Sequence, residues 1–320
     1  MILAIVDHDR GMLEELSLQA IAFAASLAPG EPVHALVVGA TGADVAAALG
    51  KYGVAEVHLA AAAGLTDYSA AAVARSAAEL VERLAPDAVV AAGSLRGNET
   101  LAHLGAMTDL PVAIDCIQAQ LGSPTRVTRA RWAGNLIEQA ELAGRPALLS
   151  VLAHSVAAAL PGSGTAAVNE FEPALTATDL ATQVKTRVSE GHGGASLVDA
   201  KVIISGGRGV GGPEGFGPLD ELAALLGGAV GCSRVVTSAG WRPHAEQVGQ
   251  TGTKVAPDLY LACGISGATQ HLAGCRNSKT IVVINTDADA PIMAIADYAI
   301  IGDLHKILPA LVVATRAAKT

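Results

Sequence analysis

Residues Leu259–Asn285 read LYLACGISGATQHLAGCRNSKTIVVIN. A short apolar run stands at each end, and the turns between them are dense in Gly, Ser, Thr, Gln and His. Runs that short suit buried strands better than helices. The turns between such strands present backbone donors and small polar side chains to a flat, polar, phosphate-bearing ligand.

Upstream, Ser205–Gly212 reads SGGRGVGG, after an apolar strand at 202–205 and before a helix at about 219–226. It contains a formal G-x-G-x-x-G, from Gly207 to Gly212. Amides at a helix N-terminus cradle phosphate, and glycine lets the ligand come close. A dinucleotide dehydrogenase also needs a carboxylate about 20 residues further on for the ribose diol. The chain has Gly231-Cys232-Ser233-Arg234 there. That counts against a standard NAD fold, while Arg234 keeps an NADP-dependent oxidoreductase open as the alternative.

The same alternation runs back to the N-terminus. Strands are expected at 2–6, 33–38, 56–60 and 88–92. The helices between them cover a first stretch with apolar residues at Leu13, Leu16, Ile21 and Phe23, then 43–49 and 69–84. Such βαβα order implies a doubly wound, mainly parallel sheet. Past Val127 the pattern changes. Segments 127–133, 136–142 and 147–153 read as strands joined by turns at Gly134-Asn135 and Gly144-Arg145-Pro146, an antiparallel addition to the sheet. The polar stretch 181–201, with Gly191, Gly193 and Gly194, marks the boundary between an N-terminal α/β domain, 1–185, and a C-terminal Rossmann-like domain, 186–320. Glycines there absorb rotation easily, so residues from about 202 onward are expected to swivel as a rigid body.

Composition narrows the function. Hydrophobic residues make up 51% of 320 and charged residues 16%, enough apolar material for two cores. Aromatics at 3% are too sparse for nucleic-acid stacking, and the net charge of −9 disfavours a nucleic-acid partner. Cys116, Cys232, Cys263 and Cys275 form no CxxC pair and read as small buried hydrophobes of a reduced, intracellular chain. His8, His34, His58, His103, His154, His192, His244 and His305 show no ligand spacing and read as surface or packing residues, so no metal is expected. The opening MILAIVDHDRG lacks the features of a signal or transit peptide, and no apolar run reaches the roughly 18–20 residues of a membrane span. A soluble, cytoplasmic chain without membrane insertion is the expectation.

Seven pieces of the second half, taken together, resemble the electron-transfer flavoprotein alpha subunit in order and spacing. They are SGGRG at 205–209, CSR at 232–234, AGW at 239–241, QVGQTG at 247–252, GISGATQHLAG at 264–274, IN at 284–285 and GDL at 302–304. GSLRGNET at 93–100, IDC at 114–116 and AGN at 133–135 resemble landmarks of the family's first domain. The resemblance implies an FAD site. It puts Arg208 at the pyrophosphate, Ser233 and Arg234 near the flavin, and Val248, Gly249, Gln250 and Thr251 along the isoalloxazine, with the Thr251 hydroxyl close to N5. Ser266, Gly267, Ala268, Thr269 and Gln270 would follow the ribityl and phosphate chain, and His271 would face the N1–O2 edge. Asn285, Asp303 and Leu304 would hold the adenosine end. It further implies an electron carrier with no organic substrate of its own. That carrier would be a heterodimer with a homologous beta subunit, passing electrons from flavin-dependent dehydrogenases to a quinone reductase or other acceptor. Reduction puts negative charge on the N1–O2 locus, so cations or donors aimed there favour the reduced forms.

Overall fold

Ile2–Ile5 is buried on both faces and forms β1, an interior strand of a nine-stranded sheet. After it come β2 (His8–Asp9) and β3 (Met12–Leu13), a small antiparallel pair, and then α1 (Glu15–Leu27). The series continues with β4 (Val33–Val38), α2 (Ala43–Ala48), β5 (Val54–Ala60), α3 (Ala70–Leu84), β6 (Ala88–Ala92) and α4 (Leu95–Thr108). Beyond them lie β7 (Val112–Gln120), β8 (Thr125–Arg131), β9 (Leu136–Leu142), β10 (Ala147–Val151) and β11 (Ala167–Phe171). The computed structural model describes residues 1–132, 134, 136–182, 184, 197–198 and 200–319. Ala133, Asn135 and most of the expected linker, with Gly191, Gly193 and Gly194, lie outside the described residues. The chain divides into two compact units, Met1–Arg187 and Val188–Thr320.

The first sheet has the order β11-β5-β4-β1-β6-β10-β7-β8-β9. It is parallel from β11 to β7 and antiparallel from β7 to β9. One face packs Ile2, Ala4, Val37 and Val90 with α1 residues Ala20, Ile21 and Phe23. The other packs Leu3, Ile5, Leu36 and Val89 with Val73, Ala77 and Leu80 of α3 and Leu101 and Leu104 of α4. Two expectations need correction. Segment 147–153 does not extend the antiparallel run. Ala147–Val151 is buried throughout and lies parallel between β6 and β7, because an Ala-Leu-Leu-Ser-Val run apolar on both faces is made for a sheet interior. The antiparallel addition is β7-β8-β9. Leu13 belongs to the β2–β3 pair, and the helix starts only at Glu15.

The second unit is a five-stranded parallel sheet of β12 (Val202–Gly206), β13 (Ala229–Cys232), β14 (Leu259–Cys263), β15 (Ile281–Asn285) and β16 (Tyr298–Ile301), in the order β13-β12-β14-β15-β16. Among the described residues four α-helices accompany it: α5 (Gly217–Leu226), α6 (Arg234–Ser238), α7 (Thr269–Cys275) and α8 (Leu304–Lys319). Phe216, Leu219 and Leu222 pack with Leu308 and Val312 of α8 over Ile204 and Ile284 on one face. Tyr260, Val283, Val248 and Cys275 share the other. The four cysteines are free and buried.

Candidate functional site

Loops leaving the carboxyl ends of β12, β13, β14 and β15 converge on a cleft of about 580 Å³. The strand order explains its place. β12 has β13 on one side and β14 on the other, so the loops that follow them diverge and leave a crevice. Arg208 and Gly209 come from the first loop, Ser233 and Arg234 from the second, Ser266, Gly267, Ala268, Gln270 and His271 from the third, and Asn285 from the fourth. Val248, Gly249, Gln250 and Thr251 enter from the connection between α6 and β14.

Thr269, Asp303 and Leu304 do not line it. Asp303 caps α8, its Oδ1 accepting the His305 amide at 2.9 Å, and the Leu304 side chain is buried in the core. Gln247, Val235, Ser238, Gly264, Ile265, Asp287 and Ala290 line the cleft and were absent from the expected set. Gln247 stood inside the quoted QVGQTG motif and could have been read from it.

The glycines close the loops upon one another. The Gly207 amide donates to the Cys263 carbonyl at 2.9 Å and the Gly209 amide to the Gly264 carbonyl at 3.0 Å. Gly264 sits at φ +63°, and a Cβ there would stand 2.8 Å from the Gly209 Cα. The missing side chains therefore admit backbone against backbone. Nor does the turn feed a helix directly, since short 3-10 turns at Arg208–Val210 and Pro213–Phe216 precede α5. A second close approach lies at Gly249, where φ is +143° and a Cβ would meet the Gln270 carbonyl at 2.9 Å. This lets the Gln250 amide donate to that carbonyl at 2.8 Å and fixes the 247–253 loop on the start of α7.

Polar side chains in the cleft are held from behind. Asn285 Nδ2 donates to the Ile265 carbonyl at 2.9 Å and its Oδ1 accepts the Asp287 amide at 3.1 Å. Gln247, buried, accepts from Thr237 Oγ1 at 2.6 Å and donates through Nε2 to Thr251 Oγ1 at 3.0 Å. His271 is buried, its Nε2 2.9 Å from the Tyr260 hydroxyl, and its Nδ1 has no hydrogen-bond partner among the described residues. Burial lowers the His271 pKa to about 4, with the Val248 backbone opposing, so the ring is neutral at pH 7. Burial also drives the Tyr260 phenol well above its ordinary value.

The arginines differ from their neighbours. Arg242 is clamped by Asp220 and Glu246 at 2.9 and 2.6 Å. Arg208 and Arg234 are exposed at the cleft and make no ion pair among the described residues. Two unmatched cations beside a cleft of this size suit an anionic ligand, and the volume is within the roughly 300–1,000 Å³ of ordinary ligand sites.

The first unit corrects another expectation. His34, Glu56 and His58 come together, their ligand atoms all within 4.8 Å of one another. Parallel pairing sets His34 opposite Glu56, and His58 follows two residues along the same face. No local spacing could have shown it.

A parallel sheet whose carboxyl-end crevice carries unmatched arginines, packed glycine loops and a neutral buried imidazole defines an α/β protein that binds a nucleotide-type cofactor. The family model "Electron transfer flavoprotein domain" matches residues 2–176, and "Electron transfer flavoprotein FAD-binding domain" matches 196–276. The chain is 37% identical to the electron transfer flavoprotein subunit alpha of Syntrophomonas wolfei, over 88% of this chain and 89% of that one. It is 35% identical to that of Bacillus subtilis (94% and 93% covered) and 36% identical to that of Mycobacterium leprae (99% and 98%). The chain belongs to the electron transfer flavoprotein family, among its alpha subunits; its cofactor is FAD and its role is electron transfer. Among the described residues no helix is long and apolar enough to cross a membrane.

Proposed function

We propose that the cleft of the second unit is where FAD binds, and that the chain is a carrier that turns over no organic substrate. The unmatched Arg208 and Arg234 beside the cleft are the observation that carries this reading. FAD, when bound, supplies redox chemistry by one or two electrons. Arg208 serves the pyrophosphate, Ser233 and Arg234 the flavin, and Ser266, Gly267, Ala268, Thr269 and Gln270 the ribityl and phosphate chain. Asn285, Asp303 and Leu304 serve the adenosine end. Asp303 and Leu304, outside the cleft lining, take part through the backbone at the start of α8.

Two side chains act through others. Gln247 donates to Thr251 Oγ1, which leaves the Thr251 hydroxyl proton free to point into the cleft beside Val248, Gly249 and Gln250. Tyr260, kept protonated by burial, lies 2.9 Å from His271 Nε2, and with the phenol as donor the imidazole proton sits on Nδ1. His271 then offers a neutral donor, and Arg234 supplies the charge.

The partner in this reading is a homologous beta subunit in a heterodimer. Exposed apolar side chains near the edges of the sheets support it: Trp132 and Ile137 in the first unit, Tyr298 and Ile301 in the second. Donors are flavin-dependent dehydrogenases, the acceptor is a quinone reductase or similar protein, and the location is cytoplasmic. The boundary between domains is placed at residues 185 and 186. A visible absorption spectrum with flavin-to-protein ratio, taken on the chain co-purified with its partner, tests the assignment. One FAD per chain, lost in an Arg208→Ala/Arg234→Ala double variant, is expected. A colourless preparation that binds NADPH would overturn it.

A further inference from the structure

On the α3 face of the first sheet, three neighbouring strands bring polar side chains together near its β11 edge. His34 stands on β4, Glu56 and His58 on β5, and Asn169 on β11, paired in register with His58. His34 Nδ1 and His58 Nε2 are 3.1 Å apart. Glu56 reaches the first at 3.9 Å through Oε2 and the second at 3.6 Å through Oε1. The two rings are stacked, with centroids 5.4 Å apart. Asn169 Nδ2 donates to Glu56 Oε1 at 2.6 Å and so fixes the carboxylate from behind.

We propose that His34, His58 and Glu56 form a three-ligand site for a divalent ion of the zinc class. Two ligands bound tetrahedrally at zinc distances of about 2.1 Å lie roughly 3.4 Å apart, and the three separations here bracket that value. Two imidazoles and one carboxylate are an accepted donor set for such ions, short of a fourth ligand. Water fills that position, because the Glu56 side chain is 32% exposed and that of His34 15%, which also gives the ion its way in. Both imidazoles present lone pairs at neutral pH, since burial lowers their affinity for protons more than Glu56 raises it.

The alternative occupant of the geometry is a proton shared between the two rings. Hydrogen bonding alone accounts for the 3.1 Å separation, but not for a carboxylate within 4 Å of both nitrogens and held there by Asn169. Among the described residues the site has an outer hydrogen bond on its Glu56 side, from Asn169. His58 Nδ1 is buried without a hydrogen-bond partner among the described residues. Outer-shell partners contribute about 10–100-fold in affinity, so the missing partner on His58 is expected to weaken binding by about that factor. The positive charge of Arg83 near His58 acts in the same direction. The ion would clip β4 to β5 and, through Asn169, β11 to both.

The test uses the full chain with its flavin and partner subunit, stripped by a chelator and titrated calorimetrically with ZnCl2 and with CoCl2. One ion per chain is expected, and the cobalt form should show tetrahedral d–d bands to the red of the flavin absorption. His34→Gln and Glu56→Gln, both at partly exposed positions, should each weaken binding at least about ten-fold with flavin content unchanged, and Asn169→Ala less. The proposal is overturned by absence of saturable uptake in the parent protein, or by uptake that both variants leave intact.

Discussion

Each unit carries a cleft at the carboxyl ends of its central strands, and the two differ in how their charges are paired. In the first unit Val6–Arg10, Gly39, Tyr68 and Arg96 enclose about 200 Å³. Its charges answer one another there. Arg10 pairs with Asp9 at 2.8 Å, Arg96 lies 3.9 Å from Asp9 and 4.9 Å over the Tyr68 ring, and Ser94 donates to Asp7. In the second unit Arg208 and Arg234 make no ion pair among the described residues, and the cleft is nearly three times larger. Two sheets of different strand order thus give one crevice whose charges pair among themselves and one whose arginines make no ion pair among the described residues. Fold places a site; the balance of charge within it decides whether a ligand is required.

Gly264→Val attacks the difference most directly. A branched side chain at φ +63° against the Gly209 backbone forces the two loops apart, and flavin content should fall at least about ten-fold by visible absorption. Retained flavin would show that the glycine contact does not shape the cleft. Next in size is the acid response of His271. The unfolded imidazole protonates near 6.5 and the folded one near 4. Between those values the unfolded state binds the extra proton. Stability is therefore full above about pH 6.5 and declines as pH falls towards 4, by on the order of 3 kcal/mol in all. Denaturant titrations across that window should show the loss, and His271→Gln should flatten it.

Arg234→Ala should leave FAD bound but harder to reduce. A charge-assisted hydrogen bond of about 1.5–3 kcal/mol corresponds to roughly 60–130 mV for one electron. Arg96→Ala is the matched control, and spectroelectrochemistry should find its potential unchanged. Equal shifts in both variants would erase the contrast between the clefts. The smallest effect belongs to Asp7→Asn. Burial raises the Asp7 pKa, so its charged form costs stability once pH rises past the folded value. Because the residue is only partly buried, the urea midpoint at pH 7 should rise by no more than about 1 kcal/mol equivalent.

The strand at 88–92 was legible because apolar residues fill it without interruption, and that at 33–38 because His34 alone breaks its apolar run. β7 was not, since Gln118 and Gln120 break its apolar pattern, and neither was β11, whose first four residues are exposed. β10 was misread because Gly144-Arg145-Pro146 looks like a hairpin turn, although the strand it opens goes to the sheet interior. Arg208, Arg234 and the 264–271 turn were named through the family resemblance, and each proves to follow a strand directly. Gln247 was within reach inside the QVGQTG motif, but Tyr260 was not, as its work is done on His271 from behind. The His34–Glu56–His58 group was out of reach for a different cause, being created by strand register.

β11 has a further consequence. It is the last strand of the first unit in the chain, yet it pairs with β5, and the Asn169–Glu56 contact spans 113 residues. During synthesis the edge of β5 must wait, unpaired, while more than a hundred residues are added. Non-local closure of that kind slows folding and leaves a strand edge open to the wrong partner. A chain stopped before Ala167 should therefore self-associate through β5, however well its central strands have formed.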